Sequence, residues 1–469
     1  MYRATFNYFK SKITYLLLFF GVAALIIITL KGLLIAQPGD ENTYYYMGRL
    51  ISEGKIPYTE FFYAHPPLHI YLTGLLYSLF GFNILILKLM PLMCTITTAF
   101  FIFLIAKSRF GKNEALISFY LFLFSYSIMF NSVFSFGIEW ATMFLVAGLY
   151  FMLNRNNYIF AALFFCLSSL TRLLALIPII SILAIFFWHG LRSGKIKNGV
   201  GLAGCFLAFF LIANGILFLI FGSDYINQAL KFHLLKTPGG MDNLREYIDI
   251  IKLNWILFFS PILLIFSKDK KPAAKFVIVV IAYLACLAIL KKIFGFYFIP
   301  VFPFLALIGG FGIVSVYNQI PKKFSKRVFL AAIAAAFLWN LYSDTLFLQK
   351  YAFVGFSRGD DLAQFIGLNS KKETLLFGDD SVTPLLALMT GKHIALHFVD
   401  TNNEVLLTGE RILSGTLSVL RGKDIMFIIR NRHGISSFSE VKSFLNGKCS
   451  FLASFHDKME GDYLFYRCV

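Results

Sequence analysis

From residue 13 onward the chain returns repeatedly to uninterrupted apolar runs close to the length that crosses a bilayer. Hydrocarbon offers a backbone no water for its N–H and C=O groups, so runs of this kind fold as helices. With 58% of its residues hydrophobic and 14% charged, the sequence has too few polar side chains to coat several soluble domains. The first run, 13–30, follows Arg3, Lys10 and Lys12. It exceeds the roughly 7–15-residue core of a cleaved signal peptide, and no small-x-small cleavage site follows, so it reads as an uncleaved span over 13–35. Further spans are expected near 84–106, 115–131, 140–153, 158–170, 173–189, 200–221, 250–267, 275–290, 296–316 and 328–347, with "SLTRLLALIP" around Thr171 read as a tight turn or a broken span. The expected class is an α-helical polytopic membrane protein of about eleven transmembrane helices.

The charge pattern orients it. The formal net charge is +18, yet from residue 350 onward 14 basic residues face 13 acidic ones. The excess lies in short connections between apolar runs: "KSRFGKNE" (107–114), "LRSGKIKNG" (191–199), "SKDKKPAAK" (267–275) and "PKKFSKR" (321–327). That is the positive-inside pattern and excludes nucleic acid as the partner. The stretch 67–82 is followed directly by 84–106; if both crossed, every later basic loop would be inverted, so 67–82 is read as an interfacial helix. The N-terminus is then cytoplasmic, and the first outer loop, 37–83, and the C-terminus lie outside. Residues 1–347 are expected to form the transmembrane domain and 348–469 a small extracytoplasmic α/β domain. Its strands are expected at 373–378, 393–398, 424–430, 451–455 and 462–467, with helices in 381–390 and 404–420. Cys94, Cys166, Cys205 and Cys286 sit in apolar runs as packing residues. Cys449 and Cys468 would pair if this domain occupies an oxidising compartment. Asp379 and Asp380, at a strand end before a helix, read as N-capping residues together with Ser381.

Placed on this topology, polar residues collect at the outer membrane surface. The first loop, containing "QPGDENTYYY", offers Asp40, Glu41, Tyr44, Arg49, Tyr58 and His65. Its tyrosine run reads more readily as an interfacial aromatic belt than as a platform for a sugar. Glu139 sits at a span's mouth, Arg172 in "SLTRLL", and Lys231, His233 and Lys236 in the loop 222–240. Lys291 and Lys292 lie outside against the positive-inside trend, close to Tyr297. Carboxylates from two loops and cations from three suit a reaction on an anionic lipid headgroup. The cations would hold a phosphate as it leaves, while a carboxylate accepts a proton from an attacking hydroxyl.

The first loop resembles that of the GT-C superfamily, in its protein O-mannosyltransferase and aminoarabinose-transferase-like branch. The resemblance rests on the acidic pair Asp40-Glu41, the aromatics Tyr44–Tyr46, Gly54-Lys55-Ile56-Pro57-Tyr58 and His65-Pro66-Pro67-Leu68. Lys88, Glu139, "CLSSLTRLLALIP" and "GFYFIPVFPFLALIGG" follow in the family's order, so the likeness covers about residues 1–320. It implies transfer of a sugar from a polyprenyl-phosphate donor to a hydroxyl-bearing acceptor (lipid, glycan or protein) at the extracytoplasmic face of a plasma or inner membrane, with inversion. Asp40 would be the general base. Glu41 and Glu139 would position hydroxyls or, with Asp40, hold a divalent metal ion as in some relatives; no other cofactor is implied. Arg172, Lys291, Lys292 and Tyr297 would bind the donor phosphate, with Tyr44 and His65 as further substrate contacts. Two departures stand out. His65 replaces the Lys of some branches, and the C-terminal domain does not resemble the β-trefoil insertion of eukaryotic protein mannosyltransferases. The rival readings are a lipid-linked sugar transporter or flippase and an inactive homologue that acts as a binding protein. Transporters tend to show mid-bilayer charges and repeated halves, and this sequence shows surface charges and no repeat.

Overall fold

In the computed structural model, which describes residues 2–408, 413–431, 434–457 and 461–469 (2–11 by backbone alone), the apolar runs are helical as their composition requires. The side chains of Arg3 and Lys10, and the middle of the helix expected over 404–420, lie outside the described residues. In chain order the elements begin with α1 (Tyr2–Leu34), α2 (Asp40–Ser52), α3 (Leu68–Phe80) and α4 (Ile84–Arg109). There follow α5 (Lys112–Leu123), α6 (Tyr126–Asn131), α7 (Ile138–Asn154), α8 (Tyr158–Thr171), α9 (Leu176–Arg192) and α10 (Ile196–Ile226). The helical part closes with α11 (Phe232–Leu235), α12 (Met241–Leu253), α13 (Trp255–Phe259), α14 (Lys271–Ala288), α15 (Phe302–Gln319) and α16 (Lys323–Phe347).

Among the described residues, seven helices are long and apolar enough to cross a membrane, or eight if the bent pair 241–266 is one span. The sequence expectation of eleven counts several segments that the structure shortens or breaks. The segment expected over 115–131 divides into α5 and α6 at Ser125, whose hydroxyl donates to the Phe122 carbonyl. α7 and α8 are shorter apolar helices packed on each other. The 241–266 pair bends by 89° at Asn254. The Asn254 side chain, which accepts from the Ser127 N–H at 2.9 Å and donates to the Ser127 hydroxyl at 2.8 Å, fixes that bend to the start of α6. Near Thr171 the chain does break: Arg172 is extended, and a 3-10 turn, Leu173–Ala175, starts the next span. α10 breaks at Gly222, where φ is 62°.

Chain contacts divide the molecule into two compact units, each discontinuous in sequence. One holds the chain up to Leu33 together with Lys88–Asn214 and Pro238–Phe353. Its most buried helix is α15, against which α5 and α14 pack. The other unit holds Leu34–Leu87, Gly215–Thr237 and Val354–Val469.

This second unit is built on a four-stranded sheet of β1 (Leu375–Gly378), β2 (Ile425–Arg430), β3 (Cys449–Asp457) and β4 (Gly461–Cys468), in the order β1-β2-β4-β3. β1 runs parallel to β2, and the remaining pairs are antiparallel. Helices α17 (Gly359–Asn369), α18 (Thr383–Thr390), α19 (Asn403–Leu407), α20 (Leu413–Leu420) and α21 (Ser439–Lys448) complete it. Four of the five expected strands are present. The fifth, 393–398, is not a strand: Ile394 makes one bridge to Leu376 and a 3-10 turn, Ala395–His397, follows. The cause is a competing donor–acceptor pair, because the Ile394 N–H is taken by the Tyr46 hydroxyl at 2.7 Å. Cys449 and Cys468 are disulfide-bonded across β3 and β4.

The first loop is part of this unit's core and not a decoration on it. Tyr45, Tyr46 and Leu50 of α2 are fully buried with Leu376, Leu386, Ile428 and Phe465. The aromatic-belt expectation therefore fails for Tyr45 and Tyr46. Arg49, also buried, donates to the carbonyls of Gly391 at 3.1 Å and Lys392 at 2.9 Å, just past the C-terminus of α18. A cation there satisfies carbonyls the helix leaves open.

Candidate functional site

The site begins with a close approach between strands. At Gly378, the end of β1, a Cβ would stand 1.7 Å from the Ile428 carbonyl oxygen, so no other residue fits. Past it, Asp379, Asp380 and Ser381 leave the sheet at the C-terminal ends of the parallel pair β1–β2. Asp379 is fully buried; its Oδ1 accepts from the Ser381 N–H at 3.0 Å and from the Ser381 hydroxyl, and its Oδ2 lies 3.7 Å from Nε of Arg430. Asp379 thus closes a turn with Ser381, but the expected N-cap is not formed: α18 starts after Val382 with no side-chain cap, because the Asp379 carboxylate is taken by Ser381. The same turn grips the start of α2: the Gly39 N–H donates to the Ser381 carbonyl and the Thr43 hydroxyl to the Asp380 carbonyl, both at 3.0 Å. Thr401 donates to the Gly378 carbonyl at 2.6 Å, which fixes Asp400 beside the turn.

Asp40 is thus the first residue of α2 and is exposed, whereas Glu41 behind it is 1% exposed. Both carboxylates sit where the helix dipole favours negative charge. Two further acids lie within electrostatic range of Asp40. Burial, then repulsion from Asp379, Asp400 and Asp40, holds the Asp380 carboxyl well above the usual range. Burial, then Asp40, pushes Asp400 up to about 7, partly offset by Asn402 and Lys236. Neither acid is fully shut off from water by exposed area; packing around the carboxyl atoms dominates.

The rest of the first loop is held by the segment that follows Gly222. Gln228 donates to the Tyr58 carbonyl at 2.7 Å and accepts from the Tyr63 N–H at 3.0 Å. Tyr58 itself is buried in the left-handed region at φ 69°, and its hydroxyl donates to the His65 carbonyl at 2.7 Å. A non-glycine residue keeps that conformation only when its surroundings enforce it. The His65 ring meets the Tyr44 hydroxyl at 3.3 Å and stacks on His233 at 5.2 Å between centroids; His233 in turn contacts the Ala64 carbonyl at 2.6 Å. Lys236 is buried against the Phe232 ring, and Lys231 is exposed. Asp40, Glu41, Tyr44 and His65 therefore share one unit with His233, Lys236, Asp380 and Asp400.

Glu139, Arg172, Lys291, Lys292 and Tyr297 belong to the other unit. Glu139, in the first turn of α7, accepts from the Gly137 N–H at 3.0 Å and the Ser135 hydroxyl at 3.4 Å, with Arg172 within electrostatic range. Both are buried. The Ser168 hydroxyl, donating to the Ala141 carbonyl at 2.6 Å, ties α8 to α7 just before the break that presents Arg172. Tyr297 is buried in the 3-10 turn Gly295–Val301, which packs on α7 and on the turn after Arg172; Phe296 stacks on Phe136 at 5.1 Å. Glu139, Arg172 and Tyr297 thus share one corner of their unit. Lys291 is exposed, with its carbonyl accepting from the Gly239 N–H at 2.6 Å, and the Lys292 ammonium lies over Phe294. Lys88 is fully buried, donates to the Gly32 carbonyl at 3.1 Å and sits over the Phe134 ring. Its ammonium caps the C-terminal end of α1, a structural task.

Among the described residues no three His, Cys, Asp or Glu side chains are arranged to hold a metal ion. Sequence reasoning missed Asp400 and assigned Asp380 to capping alone. The available signal was position: acids just past the C-terminal end of a parallel strand lie where open α/β sheets gather functional groups.

The helical scaffold, with the acidic pair opening the first helix after α1, is a fold that two solved membrane-protein structures share. Residues 64–218 match the family Dolichyl-phosphate-mannose-protein mannosyltransferase. ArnT from Cupriavidus metallidurans in the apo state superposes with a TM-score of 0.70 at 15% identity, over 96% of this chain and 97% of that one. Its complex with undecaprenyl phosphate gives 0.70 at 13% identity, with the same coverage of 96% and 97%. The archaeal oligosaccharyltransferase AglB from Archaeoglobus fulgidus gives 0.62 at 11% identity, over 97% of this chain and 74% of that one. No curated protein matches the chain by sequence.

Proposed function

We propose that this protein transfers a sugar from a polyprenyl-phosphate donor to an acceptor hydroxyl at the extracytoplasmic face, with inversion and with Asp40 as general base. The observation that carries the proposal is the placement of Asp40: solvent-exposed, at a helix start pinned by Ser381 and Asp380, on a fold that in ArnT binds undecaprenyl phosphate. The Cys449–Cys468 disulfide fits an oxidising compartment for the unit that holds Asp40.

In the proposed step the acceptor O–H proton passes to the Asp40 carboxylate while the acceptor oxygen bonds to the anomeric carbon. The bond from that carbon to the phosphate oxygen breaks, and its electron pair leaves on the lipid phosphate. That leaving group is already a stable anion, so a carboxylate is basic enough for the task. Arg172, Lys291 and Lys292 supply positive charge for the phosphate, and Tyr297 a hydroxyl. Glu41 and Glu139 orient hydroxyls, and the Tyr44–His65 pair contacts the sugar.

Mass spectrometry of glycans and lipids from cells with and without the gene identifies the transferred sugar. With that donor, Asp40→Asn in proteoliposomes is expected to lose at least about 100-fold in turnover while still retaining the donor lipid. Turnover within a few-fold of the unsubstituted protein would refute the assignment of the base.

A further inference from the structure

The unit that carries Glu139 and Arg172 has a second feature at the other end of its helices. α7 runs from Ile138 to Asn154, roughly 25 Å, with α8 packed along it and α9 beside α8. At the end remote from Glu139 these helices and the first turns of α14 line a half-open cavity of about 830 Å³. Five basic side chains line it: Arg109 from the end of α4, His189 from the end of α9, Lys195 from the next turn, and Lys271 and Lys275 from α14. Among the described residues no carboxylate lines it. Arg109 is anchored on the Leu153 carbonyl at the end of α7 and lies within electrostatic range of Lys275. Deeper in, the walls turn apolar with Leu149, Ile182, Phe276 and Val279. Like charges gathered over an apolar shaft between helices repel one another until an anion with a greasy stem enters.

We infer that this cavity binds the headgroup of an anionic phospholipid bearing two phosphates, with its acyl chains lying along the apolar wall. Four Arg and Lys side chains offer more positive charge than one phosphate diester neutralises, which favours a doubly charged headgroup. The basic loops 107–114, 191–199 and 267–275 that surround the cavity are those of the positive-inside pattern, so the lipid comes from the cytoplasmic leaflet, where anionic headgroups bind basic clusters between helices. This site is independent of the proposed transfer reaction and shares no residue with it.

The test uses the full chain in detergent micelles and native mass spectrometry, titrated with cardiolipin, phosphatidylcholine and inorganic pyrophosphate. Cardiolipin is expected to bind at least tenfold more tightly than phosphatidylcholine. Lys271→Gln and Lys275→Gln should each weaken it about fivefold, and the pair about 25-fold, with the lipid-free melting temperature unchanged. Equal affinity for cardiolipin and phosphatidylcholine, or an unaltered affinity in the double variant, would overturn the inference. Pyrophosphate binding as tightly as cardiolipin would overturn the lipid as ligand. If the double variant melts earlier, Lys195→Gln, on an exposed turn, repeats the comparison.

Discussion

Replacing Asp400 by Asn tests the electrostatics around Asp40 directly. The Asn side chain keeps an oxygen for the Asn402 amide that Asp400 now receives, so the change is chiefly one of charge. Asp400 has an ordinary value of 3.8 and stands at about 7 in the folded protein. At about 1.4 kcal/mol for each factor of ten in proton affinity, that gap is worth roughly 4 kcal/mol. The sign follows from linkage. Below pH 3.8 both states hold the proton and nothing is lost; as pH rises to about 7 the unfolded chain sheds it first and folding weakens; above 7 the full cost stands. At pH 5 roughly 1.6 kcal/mol is already lost, so between pH 5 and 8 the wild type should lose about 2.5 kcal/mol that Asp400→Asn does not. For a unit of this size that is a relative gain of about 5–10 °C. Scanning fluorimetry of both proteins at pH 5 and pH 8 reads it. Because Asp40 is the second cause of the raised value, the gain should shrink in an Asp40→Asn background. Identical pH dependence in the two proteins, or an undiminished gain without Asp40, would refute the reasoning.

Other expectations are simpler. Arg49→Met leaves the Gly391 and Lys392 carbonyls without their cation and should cost about 3 kcal/mol, seen as an earlier melt and a parallel loss of transfer, since the same helix carries Asp40. Removing the Cys449–Cys468 disulfide by Ser substitution, which opens a loop of 19 residues, should cost about 3 kcal/mol, and reductant should reproduce that loss in the wild type. Glu139→Gln and Arg172→Gln should each reduce transfer, with the double variant little worse than either, because the two charges act on one another; additive losses would argue against that coupling.

The sequence made legible whatever depends on local composition. Apolar runs marked most helices, short apolar stretches near residues 375, 425 and 465 marked strands, and the acidic pair after the first run marked the helix that opens the site. What stayed hidden depends on partners far along the chain. Tyr46 diverts Ile394 from the sheet across a separation of 348 residues, and nothing near either residue announces it. Asp400 is unremarkable in its own neighbourhood and acquires meaning only because Thr401 binds Gly378 and the same turn holds Gly39. Ser125 and Asn254, polar residues inside apolar runs, break helices through side-chain bonds that a hydropathy count does not register.

The partnership between α2 and the chain beyond Val354 has a consequence for biosynthesis. Arg49 emerges from the ribosome early and finds Gly391 and Lys392 only after more than 300 further residues have been made, the later membrane helices among them. Until then Tyr45 and Tyr46 lack the strands they pack against, so a chain abandoned just after α16 carries every helix of the scaffold yet leaves α2 without its core. That core closes only once the chain beyond Val354 has been made.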